Sequence, residues 1–157
     1  MTQFRLLTFC FLVVLFPSAS QVAAAQNYCF EEAGRLYGIA PALLWAISKE
    51  ESGFSPHAIN FNMNGTYDYC HMQINSSWSS EIGNKVWASL GDPCQCTKVG
   101  AWILSRCVRD HDYTWEAVGC YHAKDKTKRV EYAWKIHGVL SKYVFMHKKV
   151  NSRGSAQ

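Results

Sequence analysis

Long apolar runs are almost missing from this sequence. The only one, Leu6 to Phe16, is eleven residues long, and a helix needs about 20 to span a bilayer. Nothing downstream is apolar enough to cross one. No segment repeats, none is of low complexity, and no linker divides the chain, which excludes solenoids, propellers and tandem arrays. Charge of one sign is modest, with 16 Lys and Arg against 12 Asp and Glu, a net +4. That is too little to make nucleic acid an expected partner. Metal-ligand spacing is also absent: Cys94-Gln95-Cys96 lacks the two-residue gap of zinc sites, no paired histidines follow, and the six histidines form no ligand pattern. Neither a metal nor a cofactor is expected.

What remains describes one exported domain. A chain of 157 residues, 48% hydrophobic, suffices for a single core. The aromatic share of 14% suits both cores and sugar-lined clefts, so it decides nothing alone. Arg5, the apolar run and Ala23-Ala24-Ala25 have the form of a signal peptide over residues 1–25, cut ahead of Gln26. Cys10 lies in that run without a lipobox, so no lipid anchor is expected. Removing the signal takes away only Arg5 and leaves about +3. Six cysteines remain: Cys29, Cys70, Cys94, Cys96, Cys107 and Cys120. An even number in an exported domain reads as disulfides, and six allow 15 pairings among which sequence alone does not choose. Cys94 and Cys96 are too close to pair comfortably. One arrangement ties neighbouring helices through Cys29–Cys94 and Cys107–Cys120, leaving Cys70–Cys96. The domain is expected over 26–142, as a monomer, with residues 143–157 a basic, flexible tail that includes Lys148, Lys149 and Arg153.

The mature chain reads as helices with one turn-rich interruption, an α-rich (α+β) domain with a minor β-hairpin. Cys29, Phe30, Ala33, Leu36 and Tyr37 recur at helical spacing before Gly38. Pro41 opens a second helix, Leu43, Leu44 and Ile47 form its apolar stripe, and Gly53 ends it. Asn64-Gly65 predicts a type I′ hairpin turn. Met72 to Trp78 is expected to begin a short helix. Asp92 caps a helix whose first turn holds Pro93, and Thr114 caps the next. A last helix runs from about Lys126 to Leu140, with Val130, Ala133, Trp134 and His137 on one side.

Glu51 is the principal candidate. On the helical wheel it falls within roughly 40° of the apolar direction, and Glu50 roughly 60–70° off. It also stands at the helix C-terminus, where the macrodipole is negative. Burial and dipole both disfavour the carboxylate and raise its pKa. An acid kept protonated near neutrality is what glycoside cleavage requires. A solvated C-terminal glutamate is the plainer alternative.

Glu51-Ser52, Cys70-His71-Met72-Gln73 and Tyr121-His122-Ala123 fall in order along the chain, with Trp115-Glu116-Ala117-Val118-Gly119 before the last. Together they resemble the lytic transglycosylase family, in particular its small exported members that accompany type III and type IV secretion, conjugation and pilus systems. The likeness covers about Cys29 to Leu140. It implies a lysozyme-like fold, a periplasmic location and peptidoglycan glycan strands as substrate. Glu51 would protonate the oxygen between N-acetylmuramic acid and N-acetylglucosamine, then act as base while the muramoyl 6-hydroxyl closes a 1,6-anhydro ring. Two departures stand out: Cys70-His71 replaces a small-apolar pair, and His122 and Lys124 replace the usual Asn and Gly.

Asp68 follows Glu51 by 17 residues. A hairpin beside the end of the Glu51 helix brings the two across a cleft, where a charged Asp would stabilise an oxocarbenium-like transition state. An Asp that bonds its own turn is the alternative. Gln73, Asn75 and Tyr121 suit sugar recognition, Ser52 and Met72 belong to the same motifs, and Tyr121 is expected to bond Glu51. Trp45, Trp78, Trp87 and Trp102 are expected in the core. A hydrolytic muramidase using Glu51 and Asp68 shares this site, and a non-catalytic wall-binding adaptor shares the fold.

Overall fold

In the computed structural model, residues 27–154 are described, with side chains to residue 145. The signal-peptide reading falls on residues outside these. Seven α-helices and a small sheet make up the described chain. Helices α1 (Phe30–Tyr37) and α2 (Pro41–Ser52) precede strands β1 (Ile59–Phe61), β2 (Tyr67–Tyr69) and β3 (Ile74–Asn75). A 3-10 turn at Ser76–Trp78 leads to α3 (Ser79–Ile82), α4 (Asn84–Ala88), α5 (Pro93–His111), α6 (Trp115–His122) and α7 (Lys126–Gly154).

The punctuation follows the residues. Gly38 and Gly53 end α1 and α2 in the left-handed conformation, φ 68° and 60°. The Asp92 side chain accepts from the Gln95 N–H and the Thr114 side chain from the Ala117 N–H, as N-caps do. Leu43, Leu44 and Ile47 of α2 meet Val99, Ile103 and Leu104 of α5, Val118 of α6 and Ile136 of α7 in one core. Trp45, Trp78, Trp87 and Trp102 pack against that core partly buried. The three disulfides are Cys29–Cys94, Cys70–Cys96 and Cys107–Cys120.

Three expectations are corrected. The type I′ turn is not formed: Gly65 has φ 82°, but Asn64 is not in the positive region. The strands are joined instead by the five residues Asn62 to Thr66, closed by the Asn62 N–H to the Thr66 carbonyl at 2.9 Å and the Gly65 N–H to the Asn62 carbonyl at 3.1 Å. Asn64 Oδ1 accepts from both the N–H and the hydroxyl of Thr66, a local bond that competes with the tighter turn. Met72 does not start a helix. Gln73 has φ 50°, which no α-helix tolerates, Ile74–Asn75 becomes a third strand, and Asn75 caps the 3-10 turn through the Ser77 N–H. Finally, α7 continues to Gly154, and its side with Val130, Trp134 and His137 faces outward, where Trp134 is 69% exposed. Its core side carries Tyr132, Ala133 and Ile136.

His71 ties α2, the 70–73 turn and α5 together from a fully buried position. Its Nε2 lies 3.0 Å from the Pro93 carbonyl, which can only accept, so Nε2 carries the proton. Nδ1 then accepts from the Ser48 hydroxyl at 2.7 Å. Thr97, also buried, sits 3.2 Å from Nε2 and donates to the same carbonyl. Tyr28 and Phe30 set their rings edge-on to the imidazole. Burial lowers the His71 pKa to about 4, the Pro93 bond opposing it in part. Between pH 6.5 and 4 the unfolded chain therefore binds a proton at His71 that the folded one refuses. The stability this group supports is complete above pH 6.5 and is lost as pH falls toward 4. At about 1.4 kcal/mol per pH unit, urea melts of the wild type relative to His71→Gln should lose up to about 3 kcal/mol across that window. A constant difference between the two would refute the assignment.

Candidate active site

A cleft of about 770 Å³ runs between the sheet and the α6–α7 corner. Asn62, Thr66, Asp68 and Asn75 line one wall, and Tyr121, His122, Lys124 and Lys128 the other. Glu51 opens into it beside Ile74, Ile103 and Cys120.

Glu51 arrives on the last turn of α2, just before Gly53 turns the chain back. Burial raises its pKa to about 7, and the negative Asp68 and Glu50 push the same way, while the Tyr132 hydroxyl and Lys135 oppose in part. The carboxyl is therefore mostly protonated below neutrality and about half protonated near pH 7. The Tyr132 hydroxyl lies 2.5 Å from Glu51 Oε1 and fixes its orientation. Tyr121 was expected in that place. Tyr121 instead donates to the Met72 carbonyl at 2.8 Å, pinning the turn beside the acid. Tyr132 lies on the core side of α7, opposite the Val130, Trp134 and His137 side expected to pack. The spacing of Tyr132, Ile136 and Leu140, one turn apart, was the available signal. The His122 ring stacks on Tyr132 at 4.6 Å, nearly parallel. Desolvation and the nearby Lys135 lower its pKa, so a neutral imidazole faces the cleft at neutral pH.

Asp68 sits at the centre of the sheet, in register with Asn60 on β1 and Asn75 on β3. Its Oδ2 accepts from Asn62 Nδ2 at 3.0 Å and its Oδ1 from Asn75 Nδ2 at 2.7 Å. The two carboxylates thus share the cleft, Glu51 in an apolar setting and Asp68 between amides. Asn75 spends its groups internally, on Asp68, Thr66 and the Ser77 N–H. It positions Asp68 and has no free donor for a sugar.

The other expected contacts divide. Gln73 lines the cleft, held in its left-handed conformation by side-chain donation to the Cys70 carbonyl at 2.9 Å. Met72 is fully buried against Gly100, so its side chain offers the cleft nothing. Ser52 donates to the His71 carbonyl and accepts from the Ser55 N–H, a structural role away from the cleft lining. Trp78, expected in the core, has an edge on the cleft and carries the Arg106 guanidinium over its ring. Among the described residues, one group has metal-ligand types close together, Cys29, Glu32 and Cys94. Its two sulfurs are bonded to each other.

Residues 28–133 match the model of the transglycosylase SLT domain. The chain belongs to that family. Protein IpgF of Shigella sonnei is 34% identical over 144 residues, spanning 87% of this chain and 89% of that protein. Invasion protein IagB of Salmonella typhimurium (strain SL1344) is 37% identical over 122 residues, 76% of this chain and 75% of its own. The X polypeptide of Escherichia coli is 35% identical over 122 residues, 72% of each. Glu51, Asp68 and Tyr121 of this SLT domain all fall inside the matched segment. Among the described residues, no helix is long and apolar enough to cross a membrane.

Proposed function

We propose that this SLT domain is a periplasmic lytic transglycosylase that cuts peptidoglycan glycan strands between N-acetylmuramic acid and N-acetylglucosamine and opens the wall locally for a secretion, conjugation or pilus apparatus. The observation that carries the chemistry is Glu51, half-buried at the cleft and held by the Tyr132 hydroxyl, where desolvation raises its pKa to about 7. Its proton passes to the glycosidic oxygen as the C1–O bond breaks. The resulting carboxylate takes the proton of the muramoyl 6-hydroxyl, whose oxygen bonds to C1 and closes the anhydro ring. No water is consumed and Glu51 ends protonated. Asp68, fixed by two amides, places negative charge beside the positive character that develops at C1. The similarity to an invasion protein supports the link to an apparatus.

Asp68 also favours a second reading, in which water ends the reaction as in a hydrolytic muramidase. Products of purified peptidoglycan read by mass separate the two. The transglycosylase gives anhydro-muramoyl ends, and Asp68→Asn slows their release by about a hundredfold, the ~3 kcal/mol that removing one such electrostatic group commonly costs. Reducing ends, heavier by one water, would replace this reading with the hydrolytic one.

A further inference from the structure

The cleft carries charge that glycan cleavage does not use. Lys124 and Lys128 line its α6–α7 wall and are exposed. Four ion pairs occur among the described residues, and neither lysine belongs to any of them. Lys128 is close enough to His122 to help lower its pKa, so this cationic patch adjoins the ring stacked on Tyr132. The wall opposite carries Asp68. The cleft therefore sets Asp68 on the sheet side against cations on its α6–α7 side; Glu51 and Glu81 also line it, Glu81 paired with Arg106.

The glycan backbone gives such a wall no opposite charge to pair, because N-acetylated amino sugars are neutral. Only the muramoyl residue bears a carboxyl-containing substituent, on its 3-oxygen. That residue also supplies the C1 of the bond to be cut. We propose that Lys124 and Lys128 bind carboxylates of the muramoyl substituent and so set the register of the strand, placing muramoyl rather than glucosaminyl C1 at Glu51. Two carboxylate sources share this chemistry: the lactyl group itself when unsubstituted, and the stem peptide attached to it. This inference rests on the glycan-cleaving reading of the cleft.

The test uses binding, so it needs no turnover. The mature protein with Glu51→Gln is sedimented with insoluble peptidoglycan, with amidase-stripped peptidoglycan that keeps the lactyl carboxylate but no stem, and with neutral chitin. Adding Lys124→Gln and Lys128→Gln should weaken binding to peptidoglycan about five- to tenfold and flatten its salt dependence, as expected for exposed pairs, while leaving chitin binding unchanged. An effect kept on stripped peptidoglycan identifies the lactyl carboxylate, and an effect lost there identifies the stem. Lys85→Gln with Lys142→Gln removes the same charge away from the cleft and should leave binding unchanged. Equal weakening by that control pair, or none by the cleft pair, would overturn the proposal. Failure of the Glu51→Gln protein itself to bind any glycan would instead remove the reading on which it rests.

Discussion

Glu51→Gln should abolish glycan cleavage and make the folded domain more stable at pH 8. The loss of activity is expected to be at least about a thousandfold, since one group serves as both acid and base. The gain in stability has the same origin. The Glu51 pKa is about 7 in the folded chain and near 4.5 when unfolded, so between those values the folded state holds a proton that the unfolded state has released. The contribution to stability therefore falls as pH rises from 4.5 to 7, and the full cost is present above 7. At about 1.4 kcal/mol per unit this is about 3 kcal/mol, which the neutral glutamine avoids while still accepting from Tyr132. In the wild type His71 works the other way, supporting more stability as pH rises from 4 to 6.5. The two slopes nearly cancel between pH 4.5 and 6.5, and Glu51→Gln should unmask the His71 slope. Activity of the wild type should decline as pH rises through about 7, as the general acid loses its proton. Equal stability of mutant and wild type at pH 8 would mean that Glu51 is ionised without cost, and the acid role would fail with it.

The elements with strong local signals were legible. Pro41 and Gly53 bracket α2, and its stripe of Leu43, Leu44 and Ile47 places Glu51 toward the core, because period and caps are encoded within a dozen residues. The family landmarks led to Glu51, and the hairpin signal put Asp68 near it. What sequence left hidden depends on distant partners. The third strand is two residues long and exists because β2 pairs with it, so its own pattern is too short to show. Asn75 was expected to contact sugar, yet with Asn62 it fixes Asp68 through bonds spanning seven and six positions. Tyr132 reaches Glu51 across 81 residues, and no local rule connects them. Met72 stood in a family motif and was expected to contact substrate, but its side chain packs on Gly100 and its carbonyl holds Tyr121.

Reduction of the three disulfides should unfold the domain and silence the cleft. The bridges close loops with sequence separations of 65, 26 and 13 residues. Chain-entropy reasoning gives about 4, 3.5 and 3 kcal/mol for loops of these lengths. The first two loops overlap, so the sum is less than additive, yet even a discounted total approaches the 5–15 kcal/mol that typically separates folded from unfolded domains. Their placement adds a local effect. Cys70–Cys96 anchors the turn in which Cys70 and Gln73 both have positive φ, a conformation that costs free energy and persists only where its surroundings impose it. Cys96 Sγ also accepts from the Met72 N–H at 3.3 Å. Cys107–Cys120 fixes the start of the last α6 turn beside Tyr121. Cys70→Ser with Cys96→Ser should therefore lose cleavage at temperatures where the fold survives, because the turn beside Glu51 relaxes first. Melting and cleavage measured together, with and without reductant, check both statements. Unchanged melting of the fully reduced chain would refute the stabilising role, and full cleavage by the double serine variant would refute the local one.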